Sequence, residues 1–243
     1  MTEIVRKTRR GAIVYDSDIF DQVSEDLFRA RGWQDATPVA GVLRSAGRGN
    51  TLIVDDGKQE YVLRKFRRGG LIGRIIKDTY FWTGEDETRS FAEWRLLRKL
   101  AAKGLNVPTP AAASYRRTAM FYTADLLTVR IPGIRSLAER LIASAGSKAF
   151  WQDLGGAICR FHKANAYHAD MNAYNVQLDE NDTLWLLDFD RGKLSAEGTW
   201  KQETLSRLHR SLQKVKTLSP QLNFSAKDWD DFLEGYFSES KSE

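Results

Sequence analysis

His168-Ala169-Asp170-Met171-Asn172-Ala173-Tyr174-Asn175 opens a stretch that continues as Val176-Gln177-Leu178 and turns through Asp179-Glu180-Asn181-Asp182. It then runs Thr183-Leu184-Trp185-Leu186-Leu187 and ends Asp188-Phe189-Asp190-Arg191. Two short apolar runs around a turn rich in Asp and Asn predict a β-hairpin. A hairpin returns its two ends to one place, so Asp170 and Asn175 before the first strand should meet Asp188 after the second. Two carboxylates and an amide supply hard oxygen ligands and a proton acceptor, which is what a magnesium–phosphate site needs.

The order H-x-D-x-x-x-x-N, hairpin, D-F-x resembles the catalytic loop and metal loop of the protein-kinase-like fold. An Asp and an Asn five residues apart mean little alone, and a hairpin with solvated, charged ends is the plain alternative. Four elements upstream decide against it, because they fall in the order that fold requires. The expected fold class is α+β and bilobal. Residues 1–126 would form a nucleotide-binding lobe of antiparallel sheet plus helix. Residues 127–243 would form a mostly helical catalytic and substrate lobe.

The first upstream element is a strand, Val39 to Leu43, then Ser45-Ala46-Gly47-Arg48-Gly49-Asn50, then the strand Thr51 to Val54. Glycine lets backbone N–H groups approach phosphate oxygens with no Cβ in the way, which makes Gly47 and Gly49 candidates for covering a nucleotide. The second is the strand Tyr61 to Phe66, where the kinase pattern places a phosphate-gripping base. Alternation puts Tyr61, Leu63 and Lys65 on one face and Val62, Arg64 and Phe66 on the other. Arg64 is favoured over Lys65, because the alternative register forces Arg64 into an apolar slot; the strand alone leaves both open. The third is a helix over residues 88–103, capped by Thr88, with Phe91, Trp94, Leu97 and Leu100 at helical spacing. In the kinase fold its Glu93 would hold the strand base in place. The fourth is the strand pair Ala111 to Tyr115 and Met120 to Tyr122, with the interlobe link expected near Asp125 to Thr128. Phe20, Val23, Leu27 and Phe28 predict a small helix packed on the sheet.

Downstream, Ser136-Leu137-Ala138-Glu139 opens one helix and Phe150, Trp151, Leu154, Ile158 and Phe161 mark another. Leu205, Leu208, Leu212 and Val215 mark a third, and Trp229, Phe232 and Tyr236 a fourth. About a dozen residues separate Asp188 from the third helix, and no Ala-Pro-Glu sequence follows. A peptide-docking activation segment therefore has no room, which argues against a protein substrate.

The 243 residues, 42% hydrophobic, suit one two-lobed unit with a substantial core. No apolar run approaches a membrane span and no secretory h-region is seen. The one cysteine, Cys159, fits a reducing compartment. The net charge of +5 gathers in Arg6, Lys7, Arg9 and Arg10 and in Arg64, Lys65, Arg67 and Arg68. Such clusters suit nucleic acid, an anionic membrane or a phosphorylated substrate, although a solvated face explains any single one.

Further details narrow the resemblance. Gly47-Arg48-Gly49, Val62-Leu63-Arg64 with Arg67-Arg68-Gly69-Gly70, Thr88-Arg89-Ser90-Phe91-Ala92-Glu93 and Gly104-Leu105-Asn106-Val107-Pro108 precede His168-Ala169-Asp170-Met171-Asn172 and Asp188-Phe189-Asp190-Arg191-Gly192. Together they resemble the bacterial 3-deoxy-D-manno-octulosonic acid (Kdo) kinases of the lipopolysaccharide kinase group. That resemblance implies ATP-dependent phosphorylation of the Kdo 4-hydroxyl on Kdo-lipid IVA. It implies a peripheral place on the cytoplasmic side of the inner membrane, contact with an anionic glycolipid, and no nucleic-acid partner. It implies ATP and Mg2+, with Asp170 as proton acceptor and Asn175 and Asp188 as metal ligands. Gly47, Gly49, Arg64 and Glu93 would bind the nucleotide. Asn172, in place of the usual Lys, would hydrogen-bond the sugar or γ-phosphate without adding charge, and Arg191 is a candidate for the missing cation. Two other readings stay open: a heptose or other small-molecule kinase of this fold, and a non-catalytic module that binds anionic lipid or nucleic acid.

Overall fold

Alternating apolar residues in the N-terminal half pair into one antiparallel sheet. The computed structural model describes residues 2–39, 51–66 and 79–242. Gly47, Gly49, Arg67 and Arg68, with most of the expected strand Val39 to Leu43, lie outside the described residues. The chain divides into two units, Met1–Lys99 with Pro108–Ile131, and Leu100–Val107 with Pro132–Glu243.

The first unit holds β1 (Glu3–Lys7), β2 (Gly11–Asp16), β3 (Asp35–Pro38), β4 (Thr51–Asp55), β5 (Glu60–Lys65), β6 (Tyr80–Phe81), β7 (Pro110–Thr118) and β8 (Phe121–Val129). Their order is β1-β2-β7-β8-β5-β4-β3, with β6 also on β8. Ile13, Tyr15, Tyr61, Leu63 and Leu127 form the core of one face, closed by Val23 and Phe28. The expected small helix is two 3-10 turns, Glu25–Phe28 and Ala30–Gly32. A single tight turn suffices to bury Phe28, and the Trp33 indole ties the turn down by donating to the Leu27 carbonyl at 2.9 Å.

Asp125 to Thr128 do not form an interlobe link. They lie inside β8, paired with Lys65 to Val62 of β5 on one side and with Pro110 to Ser114 of β7 on the other. A segment with strand partners on both sides has its backbone groups committed.

The helix α1 (Arg89–Ala102) begins where the Thr88 carbonyl accepts from Ala92 N at 2.9 Å. It ends before Gly104, whose φ of 73° is the left-handed conformation of a helix stop.

The second unit contains α2 (Leu137–Ala143), α3 (Lys148–Lys163), α4 (Trp200–Leu218) and α5 (Ala226–Lys241). Ser136 opens α2 with a reciprocal capping box to Glu139. α3 and α5 meet backbone to backbone: a Cβ on Gly155 would stand 2.0 Å from the Phe232 carbonyl, and one on Gly235 2.1 Å from that of Gln152. Any side chain at either position would force the helices apart. Three short strands, β9 (Arg135–Ser136), β11 (Val176–Leu178) and β12 (Leu184–Leu186), form one small sheet. β10 (Ala166–Tyr167) and β13 (Lys193–Leu194) form another. β11 and β12 are the hairpin read from the sequence, with Val176 opposite Leu186.

Candidate active site

The loop from His168 to Asn175 is built by its own side chains. Asn172 Oδ1 accepts from the N–H groups of Tyr174 at 2.9 Å and Asn175 at 3.0 Å, an Asx-type turn. Asn172 Nδ2 donates to the Asp170 carbonyl at 2.9 Å, and Asn175 Nδ2 donates to the same oxygen at 2.9 Å. Asn172 therefore shapes the loop through both ends of its amide. Asn175 is buried, and its amide nitrogen is taken. Among the described residues nothing donates to its Oδ1.

His168 joins this loop to the end of the hairpin. Its Nε2 lies 2.9 Å from the Leu187 carbonyl, and its Nδ1 lies 3.2 Å from the Asp170 N–H. A carbonyl only accepts and an N–H only donates, so the ring is the neutral Nε2–H tautomer. Burial pushes the His168 pKa below its ordinary value. The Leu187 N–H donates to the Asn175 carbonyl at 3.0 Å, a second link across the same junction. The next residue, Asp188, has a φ of 64°. A non-glycine residue in that region is held there by its surroundings, and such residues cluster at functional sites. Phe189 packs its ring 4.7 Å from His168 and is 1% exposed.

Two helices pin the loop. The Ala138 N–H at the start of α2 donates to the Ala173 carbonyl at 3.1 Å, and the Ala173 N–H donates to Ser211 Oγ of α4 at 3.1 Å. One turn before Ser211 on the same helix face, Arg207 reaches Asp170, with Nη1 3.8 Å from Oδ1. Asp170 itself is exposed. Sequence reasoning missed Arg207 and Ser211. They stand on the polar side of an amphipathic helix, where most side chains are solvated, and their i, i+4 spacing was the only signal. Arg191 is exposed with a φ of 61°, and among the described residues Arg207 is a cation beside Asp170.

In the first unit, Glu93 is 3% exposed and bonds Arg64 Nη2 at 2.5 Å. The Ser90 hydroxyl donates to the Ser114 carbonyl at 2.8 Å and seats α1 on the sheet. Lys65 points to the opposite face of β5, where it lines a small cavity with Asp125 and Phe28. The Arg64 guanidinium also lies 4.6 Å over the Phe66 ring.

Among the described residues no cluster of three or more His, Cys, Asp or Glu could cage a metal ion. Asn175 Oδ1 and the Asp188 carboxylate are hard oxygen donors. That pair fits magnesium, which takes one or two protein ligands and completes its shell with phosphate and water.

A buried polar pair between α3 and α5 gives the second unit an acid limit. His162 is 1% exposed, bonds the Tyr236 hydroxyl at 2.8 Å, and is pushed down to about 4 by burial. The unfolded chain takes up this proton near pH 6.5 and the folded chain only near 4. Stability is therefore full above 6.5 and falls as pH drops towards 4. The loss from His162 alone is about 3 kcal/mol at the acid end. The melting temperature should fall by roughly 6–12 °C across this window, and less in His162→Gln, which stays neutral. Equal acid sensitivity of the two proteins in a calorimetric titration would refute the assignment.

The fold and the site define a phosphotransferase of the protein-kinase-like class. Residues 33–236 match the family described as the lipopolysaccharide kinase (Kdo/WaaP) family, and the chain belongs to that family. It is 45% identical over 208 residues to "3-deoxy-D-manno-octulosonic acid kinase" of Stenotrophomonas maltophilia, covering 85% of this chain and 82% of the relative. The same name is carried by a Xanthomonas campestris pv. campestris protein, 44% identical with the same coverage. Among solved structures, "WaaP in complex with acyl carrier protein" superposes with a TM-score of 0.54 at 17% identity, covering 82% of this chain and 79% of that one. That likeness supports the fold alone.

Proposed function

We propose that this chain is an ATP-dependent Kdo kinase of lipopolysaccharide core biosynthesis, transferring the γ-phosphoryl group to the Kdo 4-hydroxyl of Kdo-lipid IVA. The observation that carries this reading is the locked junction of the Asp170 loop with the Asp188 turn, in a chain so similar to proteins of that name. Asp170 takes or orients the proton of the attacking hydroxyl. Arg64, held by Glu93, steadies the phosphates that are not transferred. Asn175 and Asp188 would hold magnesium, which would supply positive charge to neutralise the phosphates. Asn172 acts through the backbone of the loop. Arg207 supplies positive charge beside Asp170, where charge accumulates during transfer.

No helix among the described residues is long and apolar enough to cross a membrane. Peripheral attachment at the cytoplasmic side of the inner membrane brings such an enzyme to a lipid-borne acceptor.

Mass spectrometry of Kdo-lipid IVA after incubation with protein, ATP and magnesium tests the reading. One added phosphate on Kdo is the expected product. Transfer to a heptose-bearing acceptor alone would replace it with the small-molecule-kinase alternative. Arg207→Ala should lower kcat/KM roughly tenfold, with Arg207→Lys recovering part of the loss. Unchanged kinetics in Arg207→Ala would reduce the Arg207–Asp170 pair to a surface contact.

A further inference from the structure

One corner of the first unit's sheet carries a surface that the reaction does not use. β7 and β8 are joined by a turn at Ala119 and Met120, while β6 pairs beside that tip with Phe81 opposite Phe121. Met120 is 58% exposed, Phe81 51% and Phe121 40%. The Phe81 and Phe121 rings contact edge to face at 6.2 Å, and the Trp82 N–H donates to the Met120 carbonyl at 2.9 Å. Nine large hydrophobic side chains are exposed among the described residues, and three of them meet at this tip. Scattered exposed hydrophobes need no explanation; an adjacent set does.

Positive charge surrounds the apolar tip. Arg9, Arg10, Trp82, Tyr115 and Arg117 line a shallow depression next to it. Arg117 stacks over the Trp82 ring at 4.9 Å, and its N–H donates to the Arg10 carbonyl at 2.7 Å, which ties the β1–β2 turn to the β7–β8 hairpin. No carboxylate of the described residues pairs with Arg9, Arg10, Arg116 or Arg117. The neighbouring Glu85 is engaged by Lys7 at 2.5 Å and by the Tyr115 hydroxyl at 2.7 Å.

We propose that this corner is a membrane-docking face, with Phe81, Met120 and Phe121 entering the interface of an anionic bilayer and Arg9, Arg10 and Arg117 on its headgroup phosphates. Exposed aromatic and thioether side chains ringed by arginine match the polarity gradient of a bilayer surface, apolar below and anionic above. The half-buried Trp82, with Arg117 on its face, suits the boundary between the two. An acidic protein would also match the arginines, and the vesicle experiment below separates the two. The choice of a bilayer rests on the glycolipid-kinase reading, which places the acceptor in one.

Co-sedimentation with phosphatidylglycerol-containing vesicles, without ATP or acceptor, tests the face independently of catalysis. The protein should bind these vesicles, release in high salt, and ignore zwitterionic ones. Phe81→Ser with Met120→Glu, and separately Arg9→Glu with Arg10→Glu, should each weaken binding roughly tenfold or more. Both variants should keep the wild-type melting temperature and wild-type phosphorylation of a delipidated, water-soluble Kdo acceptor. Wild-type vesicle binding by both variants would overturn the proposal. So would capture of an acidic soluble protein at this face by a chain that ignores anionic vesicles. Failure to phosphorylate the soluble acceptor would instead strike the kinase reading and leave the vesicle result to stand by itself.

Discussion

Asp170→Asn should lower the rate of phosphate transfer by about three orders of magnitude while leaving the fold intact. The size follows from the role. A positioned proton acceptor contributes on the order of a hundredfold to ten-thousandfold, and phosphoryl transfer offers the protein little else beyond placement and charge. The structure makes this substitution clean. The loop is held through the Asp170 backbone, whose carbonyl accepts from Asn172 and Asn175 and whose N–H meets His168. The side chain is exposed and touches Arg207 at 3.8 Å. Changing a carboxylate to an amide therefore removes the acceptor and spares every bond that shapes the loop. Nucleotide affinity, read by titration with a fluorescent ATP analogue, should be nearly unchanged. A variant that keeps a tenth of wild-type turnover would show that Asp170 is not the proton acceptor.

His168 provides the contrast. It is buried, neutral and bonded at both ring nitrogens, so its replacement would act through the backbones of Asp170 and Leu187 and not through chemistry of its own. Loss of activity at Asp170 with fold intact, against loss of both at His168, is the pattern the two sets of contacts require.

The parts of this site that were legible in the sequence are those made by neighbours in the chain. The hairpin, its flanking Asp and Asn, the capping box at Ser136 and the helix stop at Gly104 each follow from residues a few positions apart. Such residues meet whatever the rest of the fold does. The Arg64 register was partly legible, because strand alternation limits it to two choices and the Glu93 contact picks one. The turn made by Asn172 was not legible, because its residue type permits both a ligand contact and an Asx turn, and only the positions of the Tyr174 and Asn175 N–H groups reveal the turn. Arg207 and Ser211 were missed because they reach the loop from more than thirty residues away. The β1 strand was missed for another reason. All five of its residues are exposed, so it carries no hydrophobic alternation to read. The interlobe link was expected near Asp125 to Thr128, but these residues lie in β8 between β5 and β7, partners that are distant or irregular in the sequence and so left no local signal.

Glu93→Ala should cost about 3 kcal/mol of stability and most of the ATP-dependent activity, and the two losses can be separated. The carboxylate is almost wholly buried, whereas the Arg64 side chain is 22% exposed. Removing one partner of such a pair leaves the other charge uncompensated, and this typically costs 3–5 kcal/mol. The lower end applies here because solvent still reaches the guanidinium. In a chain of this size that lowers the melting temperature by roughly 6–12 °C. On the proposed role of Arg64, loss of the Glu93 carboxylate weakens its hold on the guanidinium, so the Michaelis constant for ATP should rise along with the fall in kcat. The double variant Arg64→Met with Glu93→Leu resolves cause from consequence. Two apolar side chains of similar volume replace a buried ion pair at little or no cost, so its melting temperature should return most of the way to wild type. On the proposed role of Arg64 its activity should not return, because that charge is gone. A double variant that regained both stability and turnover would make the pair a packing element of the sheet and helix. A double variant that regained stability alone would leave Glu93 with one remaining task, which is to hold Arg64 where the nucleotide needs it.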